Sequence, residues 1–467
     1  MRLGARLGFF VGVLISRILG YLRDLLLASY FGASSFTDLV VNLVFRVPNF
    51  LRKFLAEATL LPSVVALLKK ISKINNSASK KLGKKVSDSA PVHSNVWAVL
   101  WGIFYHTLVL LLLVEVVVFI FPKVLFYVFF FKSPENWRDF EFIKYAPISF
   151  AYALFIITSC VWWAKLVLDG NTFPMVFNQA LFNLVMIGAV FSADFHIVIW
   201  AALVGGALQL GYTLYSLKKS GLSFYTPSVE LLRKTWKYWV EVVNKMFFAA
   251  ASVGVWQIAS LVDSAISWRL TSGSPTMLYL AQRLVQAPIG LVGYAISTAD
   301  MSEESESKGS SEVKVGVAQG MNFMLRRDFW LLIFLSMATA LLSRHLVSVL
   351  FFSLDEAVKS TTATVLLAYS PIVLLQPVSR MITQRLLFLE REKDLIFYAV
   401  VASGINIVLD IVLAEFLGVA GIALASSVAL FIGLLVLRIV RGYSVLSFSQ
   451  WALVTVWMGV VVFSVVK

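Results

Sequence analysis

The chain has 467 residues, of which 59% are hydrophobic and 14% charged, with a mean hydropathy of +0.83 and a formal charge of +14. Soluble domains average about 45–50% apolar, so apolar runs recurring along the whole length exclude an ordinary soluble enzyme and call for a bilayer as solvent. The positive charge does not point to nucleic acid, because the lysines and arginines gather in short polar connections, as anionic headgroups and the positive-inside rule favour.

The first apolar stretch follows Arg2 and Arg6, like a signal peptide, but Arg17 and Arg23 interrupt it and no small-x-small site follows. It reads as a retained first membrane helix. Roughly 20 apolar residues cross the hydrocarbon core. By that measure spans are expected near residues 7–31, 38–67, 96–121, 144–168, 173–192 and 196–217. A second set is expected near 241–268, 276–299, 329–352, 362–389, 395–416, 419–440 and 449–466. Cys160, the one cysteine, falls within the fourth span, so no intrachain disulfide can form.

The connections alternate in charge. Lys69, Lys70, Lys73, Lys80, Lys81, Lys84 and Lys85 follow span two, and Lys218, Lys219, Arg233, Lys234 and Lys237 follow span six. Lys308, Lys314, Arg326 and Arg327 follow span eight, diluted by Glu303, Glu304 and Glu306; Arg391 and Lys393 follow span ten, and Arg438 and Arg441 follow span twelve. The intervening connections are poorer in positive charge, which predicts a cytoplasmic N-terminus and a periplasmic C-terminus. The expected fold is an all-α polytopic membrane protein of two six-helix lobes plus one further helix, about thirteen spans in all. Residues 1–217 form the N-terminal lobe, 218–240 a cytoplasmic linker, 241–440 the C-terminal lobe and 441–467 the added span.

Ionisable groups inside spans carry the functional signal. An arginine at the bilayer centre costs about 2.5–3.5 kcal/mol or more, so Arg17, Arg23, Arg46, Arg52 and Arg283 should face a protein-lined, watery cavity. Asp24, Asp38 and Glu57 accompany them. One reading pairs these acids with the arginines to fix helix packing. The other notes that five arginines against three acids leave net positive charge, suited to bidentate contact with an anionic, phosphate-bearing substrate. In the second half, Asp263, Asn406, Asp410 and Ser426 offer oxygen ligands for a monovalent cation such as Na⁺, and a buried aspartate could instead carry a proton. Pro48, Pro288, Pro371 and Pro377 should kink or break their helices, Pro174 marks either a kink or a helix start, and Gly205 and Gly206 allow close helix approach. No GxxxxGK[ST] loop is present, and the four histidines show no metal-ligand spacing.

The run Ser16-Arg17-Ile18-Leu19-Gly20-Tyr21-Leu22-Arg23-Asp24 resembles the opening SRxLGxxRD signature of the MurJ (MviN) lipid II flippases. Phe31-Gly32-Ala33, Thr37-Asp38 and Arg46-Val47-Pro48-Asn49-Phe50-Leu51-Arg52-Lys53, followed by Ala56-Glu57, continue the likeness in order and spacing. Gly205 to Leu210, and Gln282-Arg283-Leu284 with Pro288, Gly290 and Gly293, extend it across twelve spans. Ala58 departs from the family's glycine, Gln282 and Gln286 stand where acids flank the second-half arginine, and many members have fourteen spans. The resemblance implies a MATE-like, inverted-V fold in the bacterial inner membrane. It also implies alternating access that moves undecaprenyl-diphosphate-linked peptidoglycan precursor to the outer leaflet, and a transporter rather than an enzyme. Expected partners are lipid II and membrane lipids, with cell-wall synthesis proteins beside them. No cofactor is expected beyond Na⁺ or H⁺ coupling. A flippase for another polyprenyl-linked oligosaccharide and an ion-coupled drug antiporter of the same fold are the alternatives.

Overall fold

A computed structural model describes residues 3–81, 91–218, 221–290, 325–388, 391–443 and 446–467. Lys84, Lys85, Lys219, residues 291–299 of the eighth expected span (Gly293 among them) and the connection through Lys308 and Lys314 lie outside the described residues. Every regular element among the described residues is helical. Among the described residues eight helices are long and apolar enough to cross a membrane, nine if the pair Asp328–Leu341 and Ser343–Leu350, bent by 65°, is one broken span. The count of thirteen stays an expectation.

The chain divides into two compact units. The first comprises residues 1–30 and 39–257. It holds α1 (Leu3–Phe31), the broken segment described below from Leu39 onward, α4 (Leu61–Lys81), α5 (Pro91–Ile120), α6 (Pro122–Phe130), α7 (Trp137–Leu168), α8 (Phe173–Val190) and α9 (Phe195–Lys218). Its core joins α4, α5 and α7 around Leu67, Trp97, Leu100, Trp101, Trp162 and Trp163, with Trp101 and Trp162 edge-to-face at 4.6 Å. Lipid tails are as apolar as leucine, so helix association here depends on close packing rather than on escape from water. Gly205 and Gly206 show how it is reached: an added Cβ would stand 2.7 Å from the Phe182 ring and 2.8 Å from the Tyr152 ring. Pro174 occupies the first turn of α8, where its missing N–H costs nothing.

Residues 35–60 form no single regular helix. After α2 (Ser35–Val40) the backbone widens into a π-helical stretch, Val41–Arg46, tightens to α3 (Val47–Leu51), and widens again over Arg52–Leu60. Pro48 lies in the short α-turn between the wide stretches, so the irregularity is built around a residue that cannot donate to the helix ladder. Arg46 closes the first wide stretch and Arg52 opens the second.

Residues 229–240 of the expected linker are helical. Helix α10 (Val229–Arg269) runs unbroken for 41 residues, about 60 Å at 1.5 Å per residue. The division between the units falls inside it, at residues 257 and 258. The coil before α10 and its first turns are docked on α5: Trp101 Nε1 donates to the Ser223 carbonyl at 2.8 Å and Tyr105 Oη to that of Tyr225 at 2.7 Å, and His106 Nε2 lies 3.2 Å from the Leu232 carbonyl. Gly102 faces the Thr235 side chain so closely that a Cβ would overlap it.

The second unit comprises residues 31–38 and 258–467. Its elements are the rest of α10, α11 (Ser274–Pro288), α12 (Leu325–Leu341), α13 (Ser343–Leu350), α14 (Glu356–Tyr369), α15 (Ile372–Phe388), α16 (Glu392–Leu417), α17 (Val419–Arg441) and α18 (Phe448–Val466). Pro371 breaks the α14–α15 span, and hydroxyls serve the carbonyls beside the break. Ser427 donates to Ala368 O at 2.6 Å and Ser336 to Ser370 O at 2.8 Å, which satisfies backbone groups that the broken ladder leaves unpaired. The added C-terminal helix is fastened by Trp457 Nε1, which donates to Ser336 Oγ at 2.9 Å.

Candidate functional site

Within the first unit, one face of α8 organises two of the arginines. Gln179 and Asn183 are one turn apart on that face. Arg23 of α1 is 2% exposed. Its Nε and Nη2 donate to Asp24 Oδ1 at 3.0 and 2.7 Å, and its Nη1 to Asn183 Oδ1 at 2.8 Å. Its guanidinium lies 4.0 Å from the Phe45 ring centre, and Asn183 donates onward to Ser16 O at 2.9 Å. Arg23 is therefore fully engaged inside the lobe.

Arg52 is different. Its Nη1 donates to Gln179 Oε1 at 2.8 Å. Its buried Nε makes no hydrogen bond, because Glu57 Oε1 stands 3.6 Å away, an ion pair without a hydrogen bond. The Arg52 side chain is 19% exposed and that of Glu57 39% exposed. The guanidinium is held in place by one amide while part of its donor fork stays unused. Arg17 and Arg46 are half-buried on α1 and at the end of the first π-helical stretch. Gln179 carried no signal of its own in the sequence; its i, i+4 relation to Asn183 would have pointed to it.

Asp38 stands apart from these arginines in the chain's division, since it belongs to the second unit. It is wholly buried and accepts from Gly273 N at 2.8 Å, Thr276 N at 3.1 Å and Thr276 Oγ1 at 2.7 Å. These are the free N–H groups at the start of α11, so Asp38 caps that helix from 235 residues away in sequence. Gly273 has a φ of +88°, and a Cβ there would meet Ala33 O at 2.6 Å, so the clasp requires glycine. Arg283, further along α11, donates Nη2 to Tyr279 Oη at 2.8 Å and lies 4.9 Å from that ring. Gln282 donates to Tyr369 Oη at 2.8 Å. The helix that presents Arg283 is thus positioned at its start by Asp38.

The other expected cluster forms within the second unit. Asp410 of α16 is completely buried, and Asp263 of α10 and Asn406 are nearly so. Asn406 Nδ2 donates to Asp410 Oδ2 at 3.1 Å, and the Asp263 carboxyl lies beside that of Asp410. Two neighbouring carboxylates repel when both are ionised, and a shared proton or a cation is what relieves such a pair. Ser426 is half-buried, and its neighbour Ser427 is spent on the Ala368 carbonyl. Among the described residues no group of three or more His, Cys, Asp or Glu gathers as for a transition metal. Two carboxyls and an amide suit a hard monovalent cation or a proton.

The sequence profile described as "Lipid II flippase MurJ" matches residues 27–466. A "Probable lipid II flippase MurJ" of Thermotoga maritima is 28% identical over 440 residues, covering 93% of this chain and 84% of the relative. The solved structure "Lipid II flippase MurJ, inward closed conformation" superposes with a TM-score of 0.75 at 20% identity, over 98% of this chain and 91% of that one. An inward-facing multidrug resistance MATE family transporter superposes with a TM-score of 0.63 at 15% identity, over 91% and 94%. The all-α MATE-like fold is shared with both. With residues 27–466, almost its whole length, matched, the chain belongs to the MurJ family.

Proposed function

We propose that the protein is a multi-pass flippase of the bacterial inner membrane that moves lipid II from the inner to the outer leaflet for peptidoglycan synthesis. It acts as a transporter rather than an enzyme. The observation that carries the reading is Arg52, a guanidinium fixed by Gln179 whose buried Nε has no hydrogen bond and whose acid neighbour stops at 3.6 Å. A diphosphate oxygen supplies the acceptor that this fork lacks, and charge-assisted contacts of this kind are about twice as strong as neutral ones. In this reading Arg17, Arg46, Arg52 and Arg283 are the candidate diphosphate contacts. Arg23, Asp24, Asp38 and Glu57 set the positions of those groups.

Alternating access follows from rocking of the two lobes, and direction comes from differential binding to the two states. The Asp263–Asn406–Asp410 cluster, with Ser426 beside it, is the coupling site, loaded by Na⁺ or H⁺. The N-terminus is cytoplasmic and the C-terminus periplasmic, as the charge of the connections favours.

The test is complementation in a bacterium whose own lipid II flippase can be switched off, with membrane levels equalised. Rescue by the wild-type chain and its loss in Arg52→Ala and Arg283→Ala is the expected result. A well-expressed wild type that fails to rescue would assign the protein to another polyprenyl-linked substrate. Rescue by both variants would overturn the arginine mechanism.

A further inference from the structure

The start of α10 divides into three stripes. Leu231, Thr235, Tyr238 and Val242, spaced i, i+4, i+7, i+11, pack inward on the first unit. Trp236, Val240, Val243 and Phe247, at the same spacing, are exposed, with Trp236 at 56% and Phe247 at 75%. Between these faces run Glu230, Lys234, Lys237 and Glu241. An aromatic and aliphatic outer stripe flanked by lysines is the pattern of a helix lying at a membrane–water boundary.

Beside these lysines α4, α5 and α10 line a half-open cavity of about 400 Å³ whose lining includes Lys70, Lys234, Lys237, Thr235, Tyr238 and Glu241. That volume falls within the roughly 300–1,000 Å³ of small-ligand sites. The acids near it are already taken. Glu241 pairs with Lys70 at 3.0 Å and Lys245 at 2.9 Å, and Glu230 pairs with Lys234. Four lysines therefore face two glutamates. Lys237 lies 5.0 Å from the Tyr238 ring centre and has no carboxylate partner among the described residues.

We propose that this cavity holds the phosphate group of an anionic phospholipid, with Lys70, Lys234 and Lys237 around the phosphate and the acyl chains lying along the exposed stripe of Trp236, Val240, Val243 and Phe247. A phosphate ester could also come from a soluble compound. The adjoining apolar stripe is what a soluble anion would leave unused, and it selects the lipid. Through Gly102 and Thr235 the bound headgroup would brace α10 against α5. The inference is independent of the transported substrate.

The test uses the full-length protein in phosphatidylcholine nanodiscs containing a minority of phosphatidylglycerol, with retained phosphatidylglycerol counted by native mass spectrometry. Each lysine near an anionic headgroup is worth about 1 kcal/mol. Replacing Lys70, Lys234 and Lys237 together by Gln should therefore weaken retention on the order of 10²-fold, and Lys237→Gln alone about fivefold. Lys237→Gln breaks no ion pair, so its effect is read on a folded protein, and Lys144→Gln on another surface should change nothing. Retention by the triple variant equal to wild type, or an unaltered Lys237→Gln protein, would overturn the proposal. So would complete displacement of the lipid by millimolar inorganic phosphate, which would make the cavity a soluble-anion site.

Discussion

Arg23 and Arg52 contact the same face of α8, four residues apart, and yet they are opposite kinds of residue. Arg23 is sealed in and spends its three nitrogens on Asp24 and Asn183. Arg52 is tethered once, by Gln179, and keeps a buried donor unused. Both cost the same to place in a membrane if exposed to lipid, so residue type cannot separate them. What separates them is whether the lobe already satisfies the guanidinium. The satisfied one holds the lobe together, and the unsatisfied one is open to a ligand.

The sharpest way to break this contrast is to remove each arginine and measure folding. Arg23→Ala leaves the buried Asp24 carboxylate without its guanidinium, a change that costs about 3–5 kcal/mol. The thermal unfolding midpoint should fall steeply, and the double variant Arg23→Met, Asp24→Leu should recover most of it. An Arg23→Ala protein as stable as wild type would remove the structural role. Arg52→Ala should instead fold normally and lose about 1.5–3 kcal/mol of anion binding, roughly 10- to 150-fold in lipid II affinity.

A smaller effect is expected at Asp38. As a helix cap its replacement by Ala should cost about 1–2 kcal/mol of stability, with transport falling only as far as the folded protein does. Transport lost at unchanged stability would make Asp38 a substrate contact instead of a cap. For the carboxyl pair, Na⁺ at 100 times its dissociation constant stabilises a binding protein by about 2.7 kcal/mol. Asp410→Asn should abolish any such Na⁺-dependent rise in the unfolding midpoint, whereas a proton-coupled pair would show no Na⁺ response in the wild type either. The least effect belongs to Lys144, whose exposed pair with Glu141 at 3.4 Å should contribute about 0–1 kcal/mol.

Much of this was legible in the sequence, for a physical reason. Hydropathy reports helices that contact lipid, and α5, α7, α8, α9, α16, α17 and α18 fall close to their expected bounds. The helices bearing in-span arginines, α1, the 35–60 segment and α11, are not among the eight apolar spans; charge marked them for function and at the same time hid their geometry. The two π-helical stretches around Pro48 left no periodic trace. Residues 229–240 of the expected linker lie in the first turns of α10, where lysines alternate with Trp236, Tyr238 and Trp239, a pattern that reads as polar in a window average. Asp38 was grouped with the arginines by nearness in sequence, whereas its partners Gly273 and Thr276 lie more than 230 residues away. The Asp263–Asn406–Asp410 set came together because the i, i+4 relation of Asn406 and Asp410 is local and only one distant contact had to be supplied.

The central claim is that Arg52 is held open for the substrate diphosphate. The most direct measurement is lipid II binding to the purified full-length protein, comparing wild type, Arg52→Ala and Arg52→Lys at equal thermal stability. The account predicts that Arg52→Ala weakens binding at least tenfold and that Arg52→Lys recovers only part of it, because an ammonium cannot reproduce the fork. Equal affinity of Arg52→Ala and wild type would contradict it.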